Sequence, residues 1–387
     1  MEEEGLIHLP FDLVLYEIFS RVPIESQTRL RTTCRAFYNQ TFDTDYIYKH
    51  LDLCRQRFLR LDHMVHVIDP VSNAVNSTAM LRCLNHGNTI SSVIHCDGLL
   101  LCRNQRTSML TLWNPYQKQV RQIQPPMGFF SAFDRYGLGY RTDARSNYKV
   151  LRIFDAELNA QDGKDEDQVE IFDTETRLWR RVLDATPLDC KIEGLSPGLS
   201  VKGNMYWIAT PKASLRSGIV GSFIQCFDFS KETFIPICAL PVGLDYDPNH
   251  TNSLSVYKGC SLSLLHQRLT TTDMEVWVTN PLADEVVAWT HQFSVDNPNL
   301  PPLRAQYEIS YPVHFINGRD LLVVLCREDD GDNTDEDNDA DEGTTHIRMY
   351  TIGKDGIQHR TDMGQGVFFE HVMCGYIYTP SRVTVHN

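Results

Sequence analysis

Asp97-Gly98-Leu99-Leu100-Leu101, then Trp113-Asn114-Pro115, then Val120: this succession decides the fold. Asp-Gly is a preferred two-residue hairpin turn, and the leucines after it read as a strand. Trp113 ends a further strand at Asn114, whose side chain bonds readily to nearby backbone and tolerates left-handed conformations. Val120, seven residues after the tryptophan, lies where the next strand should start.

The same succession recurs. Phe172-Asp173-Thr174, Phe227-Asp228-Phe229, Thr279-Asn280-Pro281 and Tyr350-Thr351-Ile352 align with Trp113-Asn114-Pro115, and Trp179, Phe234, Val286 and Ile357 stand seven residues after their anchors. Asn or Asp follows the anchor in four of the five. Lys202-Gly203, Lys258-Gly259 and Asn317-Gly318 each put a glycine turn before a strongly apolar run, as Asp97-Gly98 does. One unit differs: it carries Tyr136-Gly137-Leu138-Gly139-Tyr140, a polar stretch, and Tyr148-Lys149-Val150-Leu151-Arg152-Ile153. Each unit therefore reads as three or four antiparallel strands. The anchors are 59, 55, 52 and 71 residues apart, and the longest gap holds an acidic run. Repeats of this length, with several strands each, point to propeller blades rather than a sandwich. Residues 61–90 and Phe368 to Val383 are left over and are expected to pair into a blade that closes the ring. Five or six blades fit, with six favoured over five.

Before residue 61 the period changes. Pro10 suits a first helical turn, where its missing N–H has no intrahelical partner, and Asp12 adds a carboxylate at the positive helix end. Phe11, Leu15, Ile18, Phe19 and Val22 share one stripe, the spacing of a core face, while Leu13 and Tyr16 fall off it. Pro23 ends the helix. A second periodic run takes in Leu30, Thr33, Cys34, Phe37 and Tyr38, and a last helix is expected through Tyr46, Ile47, Tyr48, Leu51, Leu53 and Phe58. Residues 1–5 read as a flexible tail, 6–60 as a small helical module with too little core to stand securely alone, and 61–387 as the β-rich domain.

Leu9-Pro10-Phe11-Asp12-Leu13-Val14, Ile18-Phe19-Ser20-Arg21-Val22-Pro23 and Arg29-Leu30-Arg31-Thr32-Thr33-Cys34-Arg35-Ala36-Phe37 together resemble an F-box. This is the short helical motif that docks on the Skp-type adaptor of cullin-RING ubiquitin ligases. Phe37 stands where many members have tryptophan, and Glu25 where many plant-type members have lysine. The resemblance implies adaptor contacts by Leu9, Pro10, Leu13, Ile18, Val22, Pro23, Leu30, Cys34 and Phe37. The later motifs, from Asp97-Gly98-Leu99 through Tyr148-Lys149-Val150, resemble the kelch-like F-box-associated domain of plant F-box proteins over about residues 90–385. The implied role is a substrate-recognition subunit of a Skp-cullin-F-box E3 ligase. Such a subunit is a non-catalytic adaptor, with a target protein of unknown identity bound by the propeller.

Composition narrows the alternatives. The net charge of −14 is carried mainly by ten acidic residues between Glu328 and Glu342, with no base among them, and removing them leaves about −4. Nothing in that balance favours nucleic acid. The acidic run, 328–343, fails the calcium-loop pattern, with Ala340 where a glycine is needed counting from Asp335. It reads as a disordered insertion, and its sharper reading is an electrostatic clamp for a basic substrate. The 11 cysteines include no C-x-x-C pair, and their odd number argues against a complete disulfide framework. No apolar run reaches a membrane-spanning length, and Met1-Glu2-Glu3-Glu4 is acidic where a secretory leader would be basic. A cytoplasmic or nuclear protein is expected, without membrane partners, cofactors or a metal. No nucleophile elbow, metalloprotease motif or phosphate-cradling loop is present, so no catalytic residue is assigned. A non-ligase adaptor-binding scaffold and a propeller that binds or processes a sugar or small molecule remain open.

Overall fold

The computed structural model describes residues 10, 13–61, 64–79, 90–104, 109–126, 134–154, 167–183, 189–192, 198–212, 221–244, 250–268, 273–297, 299–301, 303, 312–329, 345–366 and 373–385. Leu9, Phe11, Asp12, the expected tail and the acidic run from Asp330 to Glu342 lie outside the described residues.

Six antiparallel sheets follow the helices and form the blades of a propeller. Five come from contiguous chain. They are β4 (Ile90–Cys96) to β7 (Gln119–Ile123), β8 (Arg135–Arg141) to β11 (Leu178–Arg181), β12 (Cys190–Ile192) to β16 (Thr233–Ala239), β17 (His250–Tyr257) to β20 (Trp289–Val295), and β21 (Val313–Ile316) to β24 (Gly356–Gly366). The sixth joins the two ends of the chain, with β25 (Met373–Tyr378) beside β1 (Arg57–Leu61), then β2 (Met64–Ile68) and β3 (Val75–Ala79). Arg57 pairs with Tyr378 and Phe58 with Ile377. The expected closure is therefore present, and it uses residues before 61. The last helix stops at Leu53, so Phe58 is a strand residue packed against Phe315 of the neighbouring blade.

The hairpin turns account for the repeat. Asp97-Gly98, Lys202-Gly203 and Lys258-Gly259 all have positive φ at both residues, as a two-residue turn matching strand twist requires. At the anchors, Asp173 Oδ1 accepts the backbone N–H of Glu175 (2.9 Å) and Thr176 (3.0 Å), and Asp228 Oδ1 does the same for Ser230 and Lys231. Trp113 pairs with Val120, Phe172 with Trp179 and Phe227 with Phe234, so the seven-residue spacing is a direct cross-strand pair in three blades. It is not in the other two. Thr279 pairs with Trp289 across a wider loop closed by Asn280, which leaves Val286 exposed, and Tyr350 pairs with Arg360. A longer connection shifts the register at Thr279, whereas the Tyr350 strand runs on to Gly353 and pairs Ile352 with Ile357 across a tighter turn.

Candidate functional site: the helical module and its seat on the propeller

The module begins with the Val14 N–H donating to the Pro10 carbonyl. A π-type turn over Val14–Ile18 follows, closed by the Phe19 N–H on the Val14 carbonyl, and then a 3₁₀ turn over Phe19–Arg21. After Pro23 come α1 (Ile24–Leu30), α2 (Arg35–Gln40) and α3 (Thr44–Leu53). The second periodic run is thus two helices. Thr32 and Thr33 turn their hydroxyls back onto the Arg29 and Leu30 carbonyls, and Cys34 Sγ caps α2 by accepting from the Phe37 N–H (3.4 Å). Side chains that bond their own backbone favour such a break.

The module core is aromatic. Phe19 lies between Phe37, at 4.6 Å between ring centroids, and Tyr46, at 5.6 Å, with Leu15 and Ile24 also buried, while Leu51 joins the hydrophobic core of the propeller. Gln27, fully buried, donates to the Phe19 and Val22 carbonyls (2.9 and 3.1 Å), closing the end of the first helical segment. His50 Nε2 reaches the same Val22 carbonyl (2.9 Å), so Nε2 carries the proton. Burial holds this imidazole below its usual pKa.

Around that core the surface is unusually apolar. Leu13, Tyr16 and Ile18 are 43, 46 and 46% exposed, and Tyr38, Phe42 and Leu53 are 48, 61 and 43% exposed. Half of the exposed large hydrophobic side chains among the described residues therefore fall between Leu13 and Leu53. The stripe reading put Ile18 in the core; the structure corrects this. The wider π-turn advances fewer degrees per residue than an α-helix, so Leu15 and Phe19 keep the inward face and Ile18 swings out. Of the other residues expected to contact an adaptor, Pro10 and Pro23 are exposed, whereas Val22, Leu30, Cys34 and Phe37 are half-buried. Tyr38 and Phe42, with ring centroids 5.0 Å apart, form an exposed aromatic pair absent from the sequence reading. An aromatic between Thr41 and Asp43, immediately before the Asp43 cap of α3, was the available signal.

Leu51 of α3 is part of the propeller's hydrophobic core, with Ile47 and Tyr48 packed against it, and two separate groups of polar contacts flank this apolar seat. At one, Glu25 and Arg57 form an ion pair, and Tyr116 meets Thr28 and the Ile24 carbonyl. Arg382 donates to Thr28 at 3.1 Å. At the other, Arg145 donates to Asp52 (2.9 and 3.1 Å) and to Asp97 (2.8 and 3.1 Å). Its guanidinium lies 4.5 Å from the Tyr48 ring centroid and 5.6 Å from that of Tyr140. Burial opposes the Arg145 charge, but the bonds to Asp97 and Asp52 outweigh it and raise its pKa. Burial likewise pushes the Asp52 carboxyl up, and Arg145 more than reverses that.

A small helical unit with an apolar outer surface, fixed on a six-bladed propeller, gives the protein two parts. The F-box associated beta propeller domain family matches residues 49–385. A putative F-box protein of Arabidopsis thaliana is 40% identical over 390 residues, covering 97% of each chain. The F-box/WD-40 repeat-containing protein 1 of the same plant is 38% identical over 392 residues, covering 100% of this chain and 91% of the relative. An F-box/kelch-repeat protein, also of Arabidopsis thaliana, is 29% identical over 403 residues, covering 97% of this chain and 98% of the relative. The chain belongs to the family of F-box proteins that carry an F-box-associated β-propeller domain.

Proposed function

We propose that this protein is the substrate-recognition subunit of a Skp-cullin-F-box ubiquitin ligase. The helical module docks on the Skp-type adaptor through Leu9, Pro10, Leu13, Ile18, Val22, Pro23, Leu30, Cys34 and Phe37, and the propeller captures a target protein. The observation that carries the reading is the exposure of Leu13, Tyr16 and Ile18 around a module whose own core is filled. Large apolar side chains left exposed beside a filled core mark an interface. The contribution to ubiquitin transfer is positional: target and conjugating enzyme are held together, which raises effective concentration and fixes orientation. The transfer chemistry belongs to the partners.

Cys34, Cys54, Cys96, Cys226, Cys238 and Cys260 are free thiols, which supports a reducing cytoplasmic or nuclear setting. Among the described residues no helix is long and apolar enough to cross a membrane.

The test is an affinity capture of the wild type and of the Leu13→Asp/Pro10→Ala double variant, with mass spectrometry of co-purifying proteins. Adaptor and cullin are expected with the wild type alone, because neither side chain contributes to the β core. Equal adaptor recovery by both forms contradicts the docking surface.

A further inference from the structure

We propose that Arg145 is a positioning residue that holds the propeller at one fixed angle to the helical module. Its purpose rests on the ligase reading above; its geometry does not.

Arg145 lies between the two parts of the chain. Asp52 and Tyr48 come from α3, whereas Asp97 belongs to the turn between β4 and β5 (Leu99–Asn104), Tyr140 to β8 and Tyr148 to β9 (Ala144–Phe154). All three guanidinium nitrogens are engaged: Nε and Nη2 fork onto Asp97, and Nη1 and Nη2 onto Asp52. Tyr48 supports the clamp twice, by stacking on the guanidinium and by donating its hydroxyl to the Arg145 carbonyl (3.2 Å). Tyr148 donates to Asp97 Oδ2 (3.1 Å), fixing the propeller-side carboxylate. Lys202 also reaches Asp52, at 3.5 Å. A planar fork shared by two carboxylates specifies direction as well as contact, which a lysine cannot reproduce.

The second seat, at Glu25, Thr28, Tyr116 and Arg382, lies elsewhere on the module. The apolar contact of Leu51, Ile47 and Tyr48 holds the module on the blades but is non-directional, so the two polar seats set its angle. If the module is docked on an adaptor, that angle decides where a bound target sits relative to the ubiquitin-loaded enzyme. Arg145→Ala should therefore leave the module attached and able to swing.

The experiment uses the full chain with the Skp-type adaptor bound, carrying spin labels on unnatural amino acids at exposed Asp45 and exposed Glu285. Electron–electron distance distributions are recorded for the wild type, Arg145→Ala, Arg145→Lys and Asp52→Asn. The last variant removes the charge and one acceptor oxygen of the helix-side carboxylate and spares the Arg145–Asp97 pair, so the propeller fold stays supported. A narrow wild-type distribution is expected. It should broaden at least twofold in Arg145→Ala and Asp52→Asn and to an intermediate degree in Arg145→Lys, with adaptor affinity unchanged in all four. In the reconstituted ligase, self-ubiquitylation of the wild type should favour a few lysines, and the two broadened variants should be severalfold slower and spread over more sites. An unchanged distribution overturns the clamp whatever the ligase does. Broadening with an unaltered lysine pattern and rate overturns the positioning role. If the wild type supports no ubiquitylation, the ligase reading fails and the clamp loses its purpose.

Discussion

Gly98 and Ser381 meet so closely that a Cβ on Gly98 would stand 2.2 Å from Ser381 Oγ and 2.7 Å from the Thr379 carbonyl oxygen. Ser381 Oγ donates to the Asp97 carbonyl, so the chain after β25 is laid directly on the first hairpin of the next blade. Gly98 also has φ +81, which a side chain rarely adopts. Gly98→Ala should cost about 3 kcal/mol, part left-handed strain and part overpacking. Gly259, with φ +71 and nothing within 4 Å, has the strain alone. Gly259→Ala should cost about 1–2 kcal/mol. Urea unfolding of the two variants measures the difference; equal losses would mean that the close approach carries no energy.

Asn114 uses both ends of its amide. Oδ1 accepts the Gln117 N–H (3.0 Å), while Nδ2 donates to the Val383 (2.6 Å) and Ser381 (3.2 Å) carbonyls from full burial. Asp173 occupies the equivalent turn with acceptor bonds only. Asn114→Asp should therefore lose about 2–3 kcal/mol, since it puts a buried charge against two carbonyl oxygens. Asp173→Asn keeps its acceptor and should lose under about 1 kcal/mol. Thermal denaturation of the pair checks the asymmetry.

Helical spacing gives Leu15 and Ile18 the same core role, but only Leu15 is buried, and Ile18 is exposed. Leu15→Ala should destabilise the module by about 2–4 kcal/mol through cavity formation. Ile18→Ala should leave stability within about 0.5 kcal/mol yet weaken adaptor binding at least fivefold. Chemical denaturation together with an adaptor titration separates the two; a large stability loss at Ile18 would restore the single-stripe reading.

His314 is held neutral at full burial. Ser253 Oγ donates to the Pro312 carbonyl (2.8 Å), so it can accept from Nδ1–H of His314 (3.4 Å), which leaves Nε2 to accept from Ser263 (3.0 Å). Burial pushes the His314 pKa down to about 3, from 6.5 in the unfolded chain. Below pH 6.5 the unfolded chain binds a proton that the folded chain refuses. The associated stability is complete above that pH and declines as pH falls toward 3, at about 1.4 kcal/mol per unit. His266, pushed down to about 4 mainly by burial, adds a similar slope over its narrower window. His314→Gln should flatten the dependence of unfolding free energy between pH 6 and 5 by about 1.4 kcal/mol. An unaltered slope would show that His314 does not drive the acid response.

Some of the architecture was readable along the chain because its cause is local. An Asx turn needs one Asn or Asp beside the residues whose N–H groups it accepts, and a two-residue hairpin needs a glycine at its second position. These signals marked the blades as five or six, and the two leftover ends implied a closing sheet. The apolar residues that leave the module stripe, Leu13 and Tyr16, were visible in the same way. Ile18 was not, because a π-turn changes the angular advance without changing residue types. Phe42 was missed because no periodicity surrounds it.

By itself, then, the order of residues determined the repeat, the helical character of the start and the turn at four of the five anchors, since all depend on neighbours a few positions apart. The tertiary structure alone decided which strands share the closing blade, which apolar side chains face outward, and that Arg145 joins Asp52 to Asp97. Those outcomes depend on groups dozens to hundreds of residues apart, brought together only when the ring closes and buries their alternatives.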